Sequence, residues 1–278
     1  MPATRYQGAN SSILPIDVNE LLVKPVTTES TAFQVFKTIP TSAAELQLPA
    51  VESDPTVGFV DEAAQYGFSD VTLSTQTVRP RKIGAVIGVS NEYNSDSNPA
   101  YMDLAGEGLV RSITRAVDAY TFGNQVATSA AFAGIRNQAA YGTLPSVTWD
   151  GTTSTDFVDT IIDSQTRIEG FGYLASAIVM NSADVNLLAK DRAIEPDPHL
   201  PQTRTIQGIA ISVCDAVPAG TAYVVDPNSA AIVLRDNAQV SIDASVGFTS
   251  DLLYVKASIR CAFAVLDKNG LVQIKTAA

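Results

Sequence analysis

Few residues in this chain are equipped for chemistry. There is one histidine, His199, one tryptophan, Trp149, and two cysteines, Cys214 and Cys261. A serine or cysteine nucleophile activated by imidazole would depend on His199. That residue sits in the proline-rich run EPDPHLPQT (Glu195–Thr203), and no nucleophile-elbow sequence accompanies it. It reads as an exposed loop residue. A zinc site is equally poorly provided for, with one histidine and two distant cysteines. The cysteines share no CxxC spacing and lie in apolar, strand-like segments, which reads as two buried, reduced thiols. There is no phosphate-cradling GxxxxGK[S/T] loop and no GxGxxG after a strand. The GEG at Gly106–Gly108 falls inside a helical pattern and reads as a close-packing position. The 29 acidic residues offer many carboxylate pairs, the equipment of a hydrolase. Trp149, however, precedes an Asp-Gly turn and reads as a hydrophobic anchor for that turn rather than a sugar platform. The residues therefore point to no catalytic group, metal or cofactor, and a carboxylate-dependent hydrolase stands as the enzymatic alternative.

The elements that would have to position any site are more informative. Asn98 can cap a helix, Pro99 suits its first position and Gly123 can end it. Between them Tyr101, Leu104, Ala105, Leu109, Ile113, Ala116, Val117 and Tyr120 recur at three- and four-residue spacing. Asp103, Glu107, Arg111 and Arg115 form a ladder on the opposite face, acidic end first, as the helix dipole favours. Arg111 and Arg115 could meet a nucleic acid, but the ladder fits a solvated face better. The spacing predicts a long spine helix over 99–122. Before it, FQVFKTI, ELQLPAV, VGFV, DVTLSTQTV and KIGAVIGV predict strands broken by proline and glycine. After it, helices are predicted at Asp156–Gly170 and Ser182–Arg192, and strands at Ala177–Met180, Ile209–Val213 and Ala222–Val225. The tail LLYVKASIRCAFAVL alternates, with Leu253, Val255, Ala257, Ile259, Cys261, Phe263 and Val265 on one face. The turn DKNG and the run LVQIKT then predict a C-terminal hairpin.

One stretch does not look self-sufficient. Around the bend DEAAQYGFSD the returning strand Val71–Val78 is mostly Thr, Ser and Gln, and an isolated two-stranded ribbon is marginal in water. Its aromatic residues, Phe59, Tyr66 and Phe68, cluster near the bend. The ribbon also carries Glu45, Glu52, Asp54, Asp61, Glu62 and Asp70, with no basic residue before Arg79. It should lie against something else, and another copy of the chain is the natural candidate. Lys256, Arg260, Lys268 and Lys275 are the nearest concentration of positive charge in sequence. The interface candidates are Phe59, Asp61, Glu62, Tyr66, Phe68, Lys256, Arg260 and Lys268.

At 278 residues, 46% hydrophobic and 17% charged, the chain can bury one full core or two lobes. Its first residues, MPATRYQGANSSILP, lack a secretory pattern, and IGAVIGV at Ile83–Val89 is far shorter than the roughly 20 apolar residues a bilayer needs. The first 30 or so residues, with one short amphipathic candidate at Ile16–Val23, read as an arm. A formal charge of −11 argues against phosphate binding by the whole surface.

The order arm, ribbon, spine helix, mixed lobe and returning strands resembles the tailed-phage major capsid family, whose Hong Kong phage-type fold is shared with encapsulins. The most specific parts are GFVDEAAQYGFSDVTLSTQTVRPRKIGAVIGVSNEY (Gly58–Tyr93) and DLLYVKASIRCAFAVLDKNGLVQI (Asp251–Ile274). The resemblance implies an α+β fold with an N-terminal arm at 1–36 and an extended loop at 44–82. It implies an axial domain at 131–245 and a peripheral domain from 37–43, 83–130 and 246–278. It further implies a structural role: hexamers and pentamers of the chain closing into an icosahedral head around double-stranded DNA, within the virion and assembled in the bacterial cytoplasm. The partners implied are a separate scaffolding protein, a portal and, in some members, decoration proteins, with no membrane. An encapsulin-type compartment is the alternative within the same fold. Some members begin with a long helical scaffolding segment removed by a protease; none is recognisable before Ile13, so no assembly-linked cleavage of tens of residues is expected.

Some members also crosslink a loop lysine to a neighbour's asparagine, but between Thr38 and Arg81 this chain has no lysine. Boiling assembled particles in detergent should therefore give one band near 29.3 kDa. A ladder of covalent oligomers resistant to reductant would overturn that expectation.

Overall fold

The computed structural model describes residues 26, 29–53, 58–60, 62, 65, 72–90, 100–123, 126–128, 131–149, 154–190, 195–196, 204–243 and 251–276. Helices and sheets are both present, as an α+β fold requires. In chain order the first half contains α1 (Thr31–Val35), β1 (Lys37–Pro40), β2 (Leu46–Ser53), β3 (Thr72–Val78), β4 (Arg81–Ser90), α2 (Ala100–Phe122) and α3 (Gln138–Tyr141). Next come β5 (Ser146–Trp149), α4 (Ser154–Gly170), β6 (Ala177–Met180), α5 (Ser182–Lys190), β7 (Glu195–Pro196), β8 (Arg204–Ile206) and β9 (Ile209–Val213). The chain ends with β10 (Thr221–Val225), β11 (Ala230–Asp243), β12 (Leu252–Val265) and β13 (Leu271–Thr276). Contacts group these into two compact units. One draws on residues 82–117 and 236–260 with the described residues up to Ser30, the other on 31–81, 118–235 and 261–276.

The larger unit is built on a seven-stranded mixed sheet in the order β5-β13-β10-β6-β9-β8-β7. Strands β6 and β10 are apolar at nearly every position and buried on both faces, and β13 is buried on both faces over Leu271–Ile274, so each needs a layer above and below. On one face α4 supplies Phe157, Ile161 and Ile168 at helical spacing, and α5 supplies Val185 and Leu188. They pack with Ile178, Met180, Val224 and Ile274 of the sheet. Trp149 ends β5 in the same cluster, its ring edge-on to Phe157 at 4.6 Å. Helix α4 carries Asp156 in its first turn and Arg167 in its last, matching the helix dipole. Helix α5 is capped by Asn181, whose side-chain oxygen accepts the Ala183 N–H at 2.9 Å.

An aromatic chain covers the other face. Phe36 meets Phe263 edge-on at 5.2 Å and Phe122 at 6.0 Å, and Phe122 meets Tyr223 at 6.1 Å. The carbonyls at the end of α2 are answered across the turn: Thr121 O accepts the Ile135 N–H at 2.8 Å and Gly123 O accepts the Arg136 N–H. Gly134 allows this close approach, since a Cβ there would fall 2.2 Å from Gly123 O. Asp118, near the end of α2, is buried, and its carboxylate accepts the N–H groups of Thr31 and Ala32 at 3.3 and 3.0 Å. It caps α1 from 86 residues away.

The smaller unit contains β4, the 236–243 part of β11, the 252–260 part of β12, and α2 as far as Val117. Along β12 Val255, Ala257 and Ile259 are buried while Lys256 is exposed. On α2 Leu109, Val110, Ile113 and Val117 are buried while Glu107, Arg111 and Arg115 are exposed, the division expected of the spine. The 23 residues of α2 make it about 35 Å long. The proposed cap residues Asn98 and Pro99, and the amphipathic candidate Ile16–Val23, lie outside the described residues.

Several expectations are corrected. The C-terminal hairpin does not form. β12 belongs to a four-stranded sheet ordered β1-β11-β12-β4, whereas β13 pairs with β10 and β5 in the seven-stranded one. LVQI is buried on both sides, so it takes an interior position instead of folding back on a half-exposed strand. DKNG closes as a 3-10 turn at Lys268–Gly270, with Asp267 accepting the Asn269 N–H and the Tyr173 hydroxyl. FQVFKTI is not one strand, because Asp118 and the burial of Ala32, Phe33 and Val35 make its first half helical. Residues 58–60 of VGFV are not strand. Strand β11 was not foreseen. The arm expected over 1–36 cannot include α1, which is packed into the larger unit.

Two predictions follow from the packing. Phe263→Ala removes the ring that joins Phe36 to Tyr141 and should cost about 3–5 kcal/mol in subunit unfolding. Asp184 is buried, and burial pushes its carboxyl up, opposed in part by the Gly220 N–H. The native state then holds this proton to higher pH than the unfolded chain does. Its contribution to stability therefore declines as pH rises from about 4, the ordinary carboxylate value. Asp184→Asn keeps an acceptor and should flatten the fall in melting temperature above that pH.

Candidate subunit interface

The ribbon foreseen in the sequence is β2 paired antiparallel with β3, from Leu46 opposite Val78 to Ser53 opposite Thr72, with an irregularity between Val51 and Ser53. It forms a separate two-stranded sheet. Thr75 and Thr77 are exposed and Val78, at the base, is buried. The same register sets Glu45 across from Arg79, and their side chains form an ion pair at 2.7 Å. Both are about half exposed, so the pair contributes about 0–1 kcal/mol and serves chiefly to fix the register. The sequence contained the signal, since any register pairing Leu46 with Val78 brings those two charges together. Glu45 thereby leaves the group of uncompensated ribbon acids.

At the bend Phe59 is fully exposed and Val60 and Glu62 are exposed as well. Asp61, Tyr66 and Phe68 lie outside the described residues. The basic candidates do not form one group on a hairpin. Lys256 is exposed on β12 in the smaller unit; Arg260, in the same unit, is engaged by Asp236 at 3.4 Å. Lys268 is exposed on the 3-10 turn of the larger unit, and Lys275 lies on β13 there.

Beside the ribbon base, within the larger unit, lies a groove of about 1160 Å³. Thr75 to Arg79, Phe132, Tyr141, Phe263 and Lys268 contribute to it, and none of its lining residues is a histidine or a cysteine. The Tyr141 hydroxyl is within 3.0 and 2.9 Å of the carbonyls of Ala133 and Phe263, and burial raises its pKa. The side-chain oxygen of Gln76 is buried there without a partner. Such a surface offers hydroxyls, carbonyls and apolar area, suited to holding a chain.

Elsewhere the chemistry is muted. Cys214 and Cys261 are buried and unbonded. Burial, with Asp118 close by, pushes the Cys214 thiol up to about 11, and burial alone pushes Cys261 to about 12. Among the described residues no group of three or more His, Cys, Asp or Glu could hold a metal ion. Trp149 is buried, and His199 lies outside the described residues.

Comparison with known proteins agrees with this picture. The sequence profile of the phage capsid family matches residues 12–276. No curated protein sequence matches the chain at a significant level. Among solved structures, one from Mycobacterium phage Adephagia aligns with a TM-score of 0.71 at 14% identity, covering 90% of each chain. One described as the capsid of a native GTA particle aligns at 0.68 and 20% identity, covering 90% of this chain and 91% of that one. One from Microbacterium phage Oxtober96 aligns at 0.68 and 16% identity, covering 89% and 91%. The profile spans nearly the whole chain, and the ribbon followed by the long α2 helix accompanies it. This chain belongs to the phage capsid family, the structural subunits of icosahedral shells.

Proposed function

We propose that copies of this chain join into rings of six and five that close into a phage head around double-stranded DNA. The observation that carries this reading is the ribbon: two strands that form a sheet of their own, with Val78 buried at the base and a fully exposed Phe59 at the bend. In this reading residues 44–82 reach a neighbouring subunit, 131–245 form the axial part of each ring, and 37–43, 83–130 and 246–278 the peripheral part. Residues before α1 act as an arm. The chain works by assembly and performs no catalysis. Its net charge of −11 lets it surround DNA without reading or binding the sequence. A separate scaffolding protein and a portal complete the head in the host cytoplasm, with decoration proteins as optional additions.

Replacing Glu52–Gln76 with a short Gly-Ser link should leave a soluble, folded subunit that forms no closed shells in negatively stained images. Normal shells from that variant would remove the main support for the reading. Extracted particles should contain DNA; particles holding a protein cargo instead would make the chain an encapsulin-type shell.

The remaining acids of the loop should help dock it. Reversing Asp61 and Glu62 to lysine should impair assembly, more so at low salt where screening is weak. Among the described candidates Lys256 and Lys268 are exposed while Arg260 is engaged by Asp236, so Lys256→Glu or Lys268→Glu should restore part of the assembly lost. Wild-type behaviour of the doubly reversed loop at every salt concentration would show that these acids are only solvated.

A further inference from the structure

The three sheets have six edges, and the chain treats them unequally. Among the described residues β1 is four residues long and ends in Pro40, β2 carries Pro49, β7 is two residues long and ends in Pro196, and β5 is four residues preceded by Pro145. Short strands and prolines are the usual means of keeping an edge from pairing with another chain. The remaining two edges are longer and carry no proline within the strand, although Pro80 stands just before β4. β3 runs seven residues, TLSTQTV, and β4 runs ten, RKIGAVIGVS, without a proline. β4 is the last strand of the four-stranded sheet, and β3 is one side of the ribbon.

The register shows which groups β3 offers. Pro49 lacks an N–H, so it fits the ribbon where that group would face outward. Partners opposed in an antiparallel pair turn their hydrogen-bonding groups the same way. Thr75, opposite Pro49, therefore presents its N–H and C=O at the free edge of β3, and Leu73 and Thr77 do the same. On β4, Lys82, Gly84, Val86 and Gly88 form the exposed face; Ala257 and Ser258 of β12 lie close against Gly84 and the Tyr254 ring against Gly88, so β4 is held tightly to the sheet and its other edge is the one left to pair.

The two strands cannot satisfy each other within one chain. Only Arg79 and Pro80 lie between them, and neither has the positive φ that two-residue hairpin turns require. A parallel crossover would need a dozen or so residues. The charges also fit a partner of the same sequence. The ribbon is acidic through Glu52, Asp54, Asp61, Glu62 and Asp70, whereas β4 opens with Arg81 and Lys82 and meets no acid before Glu92.

We propose that β3 of one copy adds as a fifth strand to the four-stranded sheet of a second copy, along the free edge of its β4. The inference rests on the shell-forming reading and gives its contact a specific form. Each copy offers one β3 edge and one β4 edge, so the contact runs head to tail, the arrangement that closes into rings.

Amide exchange of free subunits and assembled shells tests it, together with Thr75→Pro. In wild-type shells the amides of 81–90 should exchange at least about tenfold more slowly than in the free subunit. Thr75→Pro deletes one outward N–H and keeps the inward pairing of the ribbon, so the subunit should melt as wild type does yet lose closed shells. As a check independent of that variant's folding, Thr75→Cys or Thr77→Cys should be combined with Lys82→Cys or Val86→Cys. At least one combination should form a disulfide between subunits in shells, and the single substitutions should not. Thr75→Pro shells in which 81–90 still exchange slowly would overturn the proposal, as would failure of every cysteine combination. Wild-type shells with 81–90 exchanging at the free rate would overturn it alone; a wild-type chain that never forms shells would overturn the functional reading instead.

Discussion

Everything in this structure turns on where backbone hydrogen-bonding groups find partners. Inside the larger unit they are answered at close range. The last carbonyls of α2 take the amides of Ile135 and Arg136, Asn181 caps α5, and Asp118 caps α1 from far along the chain. A buried group left without a partner costs about 1–3 kcal/mol, so such thoroughness is expected of a stable subunit. The ribbon stands apart because its two strands answer only each other. It is the part of the chain for which solvent, or another molecule, must supply the rest.

That division of labour depends on a core able to stand alone. Strands β6, β10 and β13 are covered by α4 and α5 on one side and by Phe36, Phe122, Tyr223 and Phe263 on the other. Phe36 and Phe263 are 227 positions apart, so the start and end of the chain are fastened in one aromatic cluster. Asp118 acts at the same junction. A subunit built this way can lend its ribbon to a neighbour without losing its own packing.

The elements legible in the sequence were those whose pattern was local. The apolar spacing of α2, the boundaries of β6 and β9, and the amphipathic runs of α4 and α5 all stand as the residues suggested. What could not be read was set by distant partners. Residues 31–35 look like strand, but a carboxylate supplied by Asp118 and burial on several sides turn them into a helix. LVQIKT looks like half of a hairpin because Asn-Gly precedes it, yet burial on both faces sends it to another sheet. β11 was hidden by Arg235, Asp236 and Asn237, which interrupt an apolar run that resumes as Ala238 and Val240. At the interface the ribbon and its exposed aromatic residue were evident from composition. The pairing of Glu45 with Arg79 needed the register, and Arg260 had a partner in Asp236 that no local pattern announces.

The two thiols carry a further consequence. With values near 11 and 12, Cys214 and Cys261 hold almost no thiolate at neutral pH, and the thiolate is the form that attacks disulfides and oxidants. Both are also enclosed by the fold. Neither thiol is placed to form or exchange a disulfide, so these two residues lend no covalent link to a particle built from such subunits.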